Sequence, residues 1–597
     1  MIRKLVWLAV SGLMGLSLVM TACGTAEVEE EGEVSEEEVV TAETPKYGGT
    51  LTKLTRGGKA NKRFDSILHS VMGSTLHLTN QPLWAGDWTK GNAGGYGTGE
   101  TDWSKTSFDI FAHKAGYLAE NIEWSADIEN DVGTLVYKVR QGVHWALNPD
   151  SEASQLVGGR EMTADDVVHS LKRVIASSKA YVFRANPPLR EAEITKSGPW
   201  EVTVKVPVSD LMVAVTRFGD STYIQPPEVI EKYGDMEAWE NSVGTGPFIL
   251  TDLVPGSSSL LVRNGSYWMT DPIGPGKGNQ LPYLDAVKLL VVPDLSTQQA
   301  ALRTAKIDQM EGFSWEDAVQ MRQMTPELIE LEWAGGRESA AGMRTDIPPF
   351  NDVRVRQALM MATDFNDILQ GLYEGRGQIL TWPSASYPEY ADLYLGLDDP
   401  EMPAVVKELY VYNPERAKEL LTEAGYPNGF ETSILVTASQ VDFVSIWKDM
   451  WAKVGIELAI DVRESAAVST LKNDGTFPGL AFGGGADATM YLTTPHLQGE
   501  GQANVFLRPE DPIINKALDQ VRRAALTDEK EAMGLYKEMM KYVLEQAYAI
   551  PRAQSPQSNF WWPWLKNYSG EAFVGYFDAS WPQWIWYDEE LKKSMGH

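Results

Sequence analysis

The sequence predicts a mixed α/β fold. Two observations carry that expectation. Over about 500 residues, alternating strand-like patterns and helix-like patterns follow one another with no repeat of fixed period. After the first two dozen residues, no further run of 18 apolar residues occurs, and the hydrophobic fraction of 43% is that of a globular chain with ample core for two to four domains.

Taken in order, the first element is not part of that fold. Arg3 and Lys4 form a positive start, Leu5 to Val19 is almost uninterruptedly apolar, and Met20-Thr21-Ala22 leads to Cys23. The order reads as a secretory signal, with an uncleaved transmembrane anchor as the alternative, since the run is about long enough to span. Either way the body lies outside the cytoplasmic membrane and is tethered to it. Gly24 to Lys46 carries nine Glu, one Lys and no aromatic residue. Such a segment buries too little to fold and is expected to be a disordered spacer, reaching at most about 75–80 Å.

The folded part is expected to open at Tyr47-Gly48-Gly49-Thr50-Leu51-Thr52, a strand after a turn signal. Val132–Val143 alternates like a half-buried strand. Thr163 is a plausible N-cap with Asp166 three residues on, and Val167, Leu171 and Val174 give the apolar face of the helix that follows. Asn413-Pro414 opens another helix closed by Gly425. Ile446–Val454 is a third, stopped by Gly455, and Ile456–Val462 follows as a strand.

A net charge of −30, from 82 acidic against 52 basic residues, argues against nucleic-acid binding and against broad attraction to anionic lipid. It equally serves plain solubility. Cys23 is the sole cysteine, so the body has no disulfide, CxxC metal site or cysteine nucleophile. The seven His show no metal-ligand spacing, and no HExxH, GxSxG or Walker A motif occurs. No cofactor is expected. Paired-acid hydrolase chemistry stays open, because two carboxylates need only meet in space. The 20 Trp, with groups at Trp84, Trp88 and Trp103, at Trp561, Trp562 and Trp564, and at Trp581, Trp584 and Trp586, are read as core packing or as ligand-stacking rings.

Small residues running up to a lone cysteine resemble the lipobox of bacterial lipoproteins, which implies acylation at Cys23 and loss of residues 1–22. Seven further segments, in order, resemble the peptide-type (family 5) extracellular solute-binding proteins of ABC importers. They are Gly48–Leu51; Leu118–Glu120 with the strand through Tyr137 to Trp145; Met162–Leu171; Val243–Phe248 with Arg263-Asn264 and Tyr267-Trp268; Tyr283–Asp285 to Ile307-Asp308; Asp352–Leu359; and Tyr412–Phe430. The resemblance covers residues 47–560. Gly244 and Gly246 are read as allowing positive φ and close backbone approach, either in a structural turn or where lobes meet. Asp352, Arg354 and Arg356 are read as a structural ion-pair cluster, with a ligand clamp as the alternative.

What the resemblance implies is a two-lobed periplasmic-binding-protein-like fold (type II, large peptide-binding cluster) with a hinge between lobes. The implied divisions are 1–22 signal, 23–46 tether, 47–305 first lobe with an inserted subdomain at about 66–189, 306–548 second lobe, and 549–597 returning to the first. The implied function is a non-enzymatic, extracytoplasmic, monomeric receptor for an oligopeptide, or alternatively an oligosaccharide. It delivers its ligand to an ABC permease, with a lipid-anchored hydrolase as the other class. By match to the family, Asp487 meets the peptide ammonium, Gly483, Gly484 and Gly485 present backbone to the ligand, and Trp84 lies near the ligand-facing region. Gly484 and Ala488 stand where aromatic residues are usual, which widens the pocket and opens the ligand class.

Overall fold

The computed structural model describes residues 43–55, 58, 63–68, 74–104, 110–334, 340–383, 392–393, 395–483, 490, 511–576 and 578–597. Cys23, most of the acidic segment, Gly484, Gly485 and Asp487 lie outside them. Among the described residues no helix is long and apolar enough to cross a membrane.

The folded part opens as the sequence indicates. Gly49 sits at φ +80°, and a Cβ there would lie 2.7 Å from that of Tyr587. Only glycine fits both the left-handed backbone and that approach. Strand Thr50–Leu54 then pairs in parallel with Ala286–Leu290, which continues antiparallel to Ser258–Arg263 and Phe248–Val254. Gly244 and Gly246 precede that last strand, and their backbone is not left-handed. They are small because Cβ atoms there would come within 1.8 Å of the Thr79 carbonyl and 2.5 Å of the Leu78 carbonyl. Close approach, not positive φ, is what this turn requires.

A four-stranded antiparallel sheet follows in the order Ala119–Asp127, Val132–Val139, Glu201–Val206, Glu193–Gly198. Helix Ala164–Ala176 starts at Thr163, whose N–H donates to Asp166 at 2.7 Å, and it buries Val167, Leu171 and Val174. Glu193–Gly198 and Glu201–Val206, which complete this sheet, follow the expected edge at about 189.

The second large sheet has the order Ile456–Val462, Phe430–Val436, Leu480–Phe482, Ala340–Met343, Ala549–Pro551. Its first three strands are parallel to one another. Asn413 caps helix Pro414–Glu423 by accepting from the Arg416 N–H at 3.0 Å. The next helix spans Val441–Ala452, five residues earlier than its apolar pattern suggests, because a turn capped by Thr437 and Gln440 leads into it.

A small three-stranded sheet joins distant parts of the chain. Pro556–Trp561 lies between Gln309–Phe313 and Ile329–Ala334, antiparallel to both. Met310, Phe313, Met321 and Leu328 share one core with Leu51, Val287, Phe560 and Trp562, whereas Ala341, Leu359, Trp447 and Ile550 share another. Strand pairing keeps residues 309–334 beside Pro556–Trp561 and the first core. The tryptophan groups are core: the nine named above are 0–6% exposed, with Trp88 stacked on Trp584 at 4.8 Å and Trp562 on Trp564 at 4.6 Å.

Candidate functional site

Two places in the described structure can receive a ligand. The first is the carboxyl edge of the parallel strands Phe430–Val436, Ile456–Val462 and Leu480–Phe482, the kind of edge at which open α/β sheets bind ligands. Gly483 stands at this edge with φ +123°, its N–H donating to the Ala340 carbonyl at 3.0 Å. A Cβ at Gly483 would lie 2.6 Å from the Lys472 ammonium, so glycine keeps the backbone against that cation. Burial pushes the Lys472 pKa down. Gly484, Gly485 and Asp487 continue from Gly483 but are not among the described residues.

The second is a cavity of about 170 Å³ beside the Thr50–Leu54 strand, lined in part by Lys53, His77, Leu289, Gln309, Glu311 and Pro582. Gln309 and Glu311 are two apart on one strand and so face the same way. The strand bends just after them, with Gly312 at φ +74° and its N–H donating to Asn559 at 3.0 Å. Lys53 Nζ lies 3.6 Å from Glu311 and 4.3 Å over the Trp581 ring. Burial lowers the Lys53 pKa, and Glu311 acts against that. Deeper in, His77 Nδ1 is 3.6 Å from Asp578 and 3.4 Å from the Tyr223 hydroxyl.

A buried carboxylate anchors the wall behind this cavity. Asp308 accepts from the Thr52 N–H at 2.6 Å, Trp564 Nε1 at 2.8 Å and the Tyr587 hydroxyl at 2.8 Å, with Lys592 at 3.5 Å. Burial pushes its pKa up, against Lys592 and these bonds. These contacts lock the Lys53 strand to the Gln309 strand. The expected motif ending in Ile307-Asp308 is thus structural support beside the cavity.

Other expected positions have structural roles. Trp84 is 6% exposed, its ring 4.6 Å from the Lys114 ammonium and 5.4 Å from Phe111, in the core of the inserted unit. Arg356 is buried and donates to the carbonyls of Gln546 and Phe350, both at 2.8 Å, while Arg354 pairs with Asp352 at 2.6 Å. Arg354 with Asp352 is the ion pair that reading expects, while Arg356 braces backbone carbonyls instead. The sequence did not reveal Lys53, His77, Gln309 and Glu311 as neighbours. The one signal was a lysine inside an otherwise ordinary strand opening. Among the described residues no group of His, Cys, Asp and Glu could hold a metal.

Comparison with known proteins places this architecture. Residues 115–502 match the model of the bacterial extracellular solute-binding proteins, family 5 Middle. The chain is 26% identical over 459 residues to the heme-binding protein A of Haemophilus influenzae, covering 72% of this chain and 78% of that protein. It is 24% identical over 458 residues to the dipeptide-binding protein of Escherichia coli, covering 72% and 79%. Its fold is that of the periplasmic binding protein DppA from Helicobacter pylori in complex with the peptide STSA, with a TM-score of 0.69 at 20% identity over 91% of this chain and 99% of that one. AppA from Bacillus subtilis in complex with a nonapeptide gives 0.65 at 18% identity over 92% and 100%. With a two-lobed fold of this kind and a family match over most of its length, the chain is a solute-binding protein rather than an enzyme, and it belongs to the bacterial extracellular solute-binding proteins, family 5.

Proposed function

We propose that the protein captures an oligopeptide between its two lobes and delivers it to an ABC importer, while a lipid on Cys23 holds it to the membrane. The first lobe comprises the cores built on Thr50–Leu54 and Pro556–Trp561, and the second is built on the Ile456–Val462 sheet. Two crossing passages between the cores act as the hinge. One observation carries the reading: the parallel strands of the second lobe end at Gly483, and the segment that family resemblance assigns to ligand contact begins there. Relatives named for dipeptides and structures holding peptides support the ligand class.

In this reading Asp487 meets the ligand's α-ammonium by a charge-assisted bond. Calorimetry on wild type and Asp487→Asn, with free-amine peptides, N-acetylated peptides and oligosaccharides, tests it. The expected result is a loss of about 2–5 kcal/mol on either removing the carboxylate or acetylating the peptide. Tighter binding of an oligosaccharide than of any peptide would transfer the site to sugars. Lipidation is tested by the intact mass of membrane-extracted protein, which should show a diacylglyceryl group on Cys23 and no residues 1–22. An unmodified full-length N-terminus rules the anchor out.

A further inference from the structure

Helices Pro512–Ala524 and Glu529–Glu545 pack on each other within the second lobe. The start of the second helix needs no help from Glu529. Asp528 caps it, accepting from the N–H groups of Lys530 and Glu531, both at 3.0 Å. The Glu529 carboxylate instead reaches a turn 418 residues earlier in the chain. Its Oε1 accepts from the Phe111 N–H at 2.9 Å and its Oε2 from the Ala112 N–H at 3.3 Å. Both oxygens of one carboxylate are thus engaged by consecutive backbone donors of another part of the molecule.

The two sides of this contact belong to different lobes. Lys114–Gly116, just after the Phe111 turn, pairs with Trp84–Gly86, and the Gly86 N–H donates to the Val574 carbonyl at 3.2 Å. The Ala146 N–H donates to the Gly244 carbonyl at 2.9 Å, a second tie of the inserted unit to the first lobe. The helix of Glu529 is tied to the second lobe, where Leu544 shares a core with Ala341 and Ile550. Close by, the turn Val208–Asp210 of the inserted unit lies against helix Pro512–Ala524, and Leu518 and Val521 share a core with Leu135 and Val206. Arg522 of that helix has a buried Nε with no partner among the described residues. Burial lowers its pKa, and Asp210 is the first carboxylate acting against that. The lobes therefore meet over an apolar seam edged by charge.

We propose that Glu529 is a latch between the lobes: in the closed state its carboxylate hooks the Phe111 and Ala112 amides, and breaking that hook governs how fast a bound ligand leaves. The proposal rests on the hinge reading above and not on the class of ligand. None of the three residues lines the cavity beside Lys53. Losing the latch therefore leaves ligand contacts in place, so its effect belongs to dissociation and not to association.

The test is stopped-flow binding to full-length wild type, Glu529→Ala and Glu529→Gln, with the tightest free-amine peptide of the calorimetric series as probe. Glu529→Ala should release the peptide about tenfold faster, because two hydrogen bonds to a charged group are lost. Its association rate should change by less than about twofold. Glu529→Gln keeps an acceptor without the charge and should fall between the two. Urea midpoints on the same preparations report folding, and Glu529→Gln carries the comparison if Glu529→Ala does not fold. A release rate equal to that of wild type overturns the latch, as does a change confined to association. If no peptide binds wild type, the peptide reading falls and small-angle scattering of ligand-free protein decides the latch alone. A larger radius of gyration in Glu529→Ala than in wild type then supports it, and an unchanged radius overturns it.

Discussion

Asp65 is fully buried and accepts five bonds. Arg173 donates two, at 2.9 and 2.7 Å, Gln225 Nε2 one at 2.9 Å, and the N–H groups of Ile67 and Met236 one each at 3.0 and 3.1 Å. Burial alone pushes its pKa up, but Arg173, Gln225 and the Met236 amide outweigh it and hold the carboxyl below its usual range. A depressed folded pKa gives stability that is present above the unfolded value of about 3.9 and is lost as pH falls through the folded one. Asp65→Asn should cost about 3–5 kcal/mol at neutral pH, read as a urea midpoint, because it strands Arg173. Glu571 is the opposite case. It is 2% exposed, Oε2 accepts from the Ser569 N–H at 2.7 Å, and Oε1 has no partner among the described residues. Burial pushes its pKa up to about 7. The folded state keeps a proton that the unfolded chain releases near 4.3, so stability should decline as pH rises from about 4.3 through 7. Glu571→Gln should remove that component of the decline, seen as a smaller drop in Tm between pH 5 and pH 8, and an unchanged drop would show that Glu571 is not its source. At this scale the sequence disclosed contacts between near neighbours, such as Thr163 with Asp166. It could not disclose Lys53 with Glu311 or Asp65 with Arg173, whose partners are brought together only by the finished fold.

Elements with local signals were legible for the same reason. The strand at 456–462 and the helix at 414–423 fall where alternation, caps and terminal glycines put them. The sheet around Pro556–Trp561 was not, because its two partners lie more than 200 residues earlier in the chain. Asn559 pins that sheet. It accepts from the Gly312 N–H at 3.0 Å and from Trp333 Nε1 at 3.4 Å, and donates to the Gly570 carbonyl at 2.9 Å. Asn559→Ala leaves the buried Gly570 carbonyl without this partner, and should cost about 1–3 kcal/mol in thermal or urea unfolding. Since Gly312 shapes the bend beside Gln309 and Glu311, the same substitution should also weaken ligand binding. A variant that is destabilised yet binds with unchanged affinity would separate the sheet from the site.

For the whole molecule, the resemblance carried by seven short segments implied the two-lobed architecture, and the family match over residues 115–502 agrees with it. Composition alone could not have done so. The lobe edges were less legible, because only strand pairing shows that residues 309–334 stay with the first core. Ion pairs already cross between the two parts: Arg376, which follows the second lobe's helices, meets Glu332 of the first and lies 4.1 Å over the Trp315 ring. In the proposed mechanism such contacts form on closure around the ligand, and closure excludes water from it. Binding should stabilise the protein by mass action, by roughly 2.7 kcal/mol at a hundredfold excess over the dissociation constant. Small-angle X-ray scattering of the protein with and without a peptide identified by calorimetry tests the central claim most directly. A smaller radius of gyration in the presence of peptide, with the peptide recovered uncleaved, is the predicted result. An unchanged radius at saturation, or a hydrolysed peptide, would contradict it.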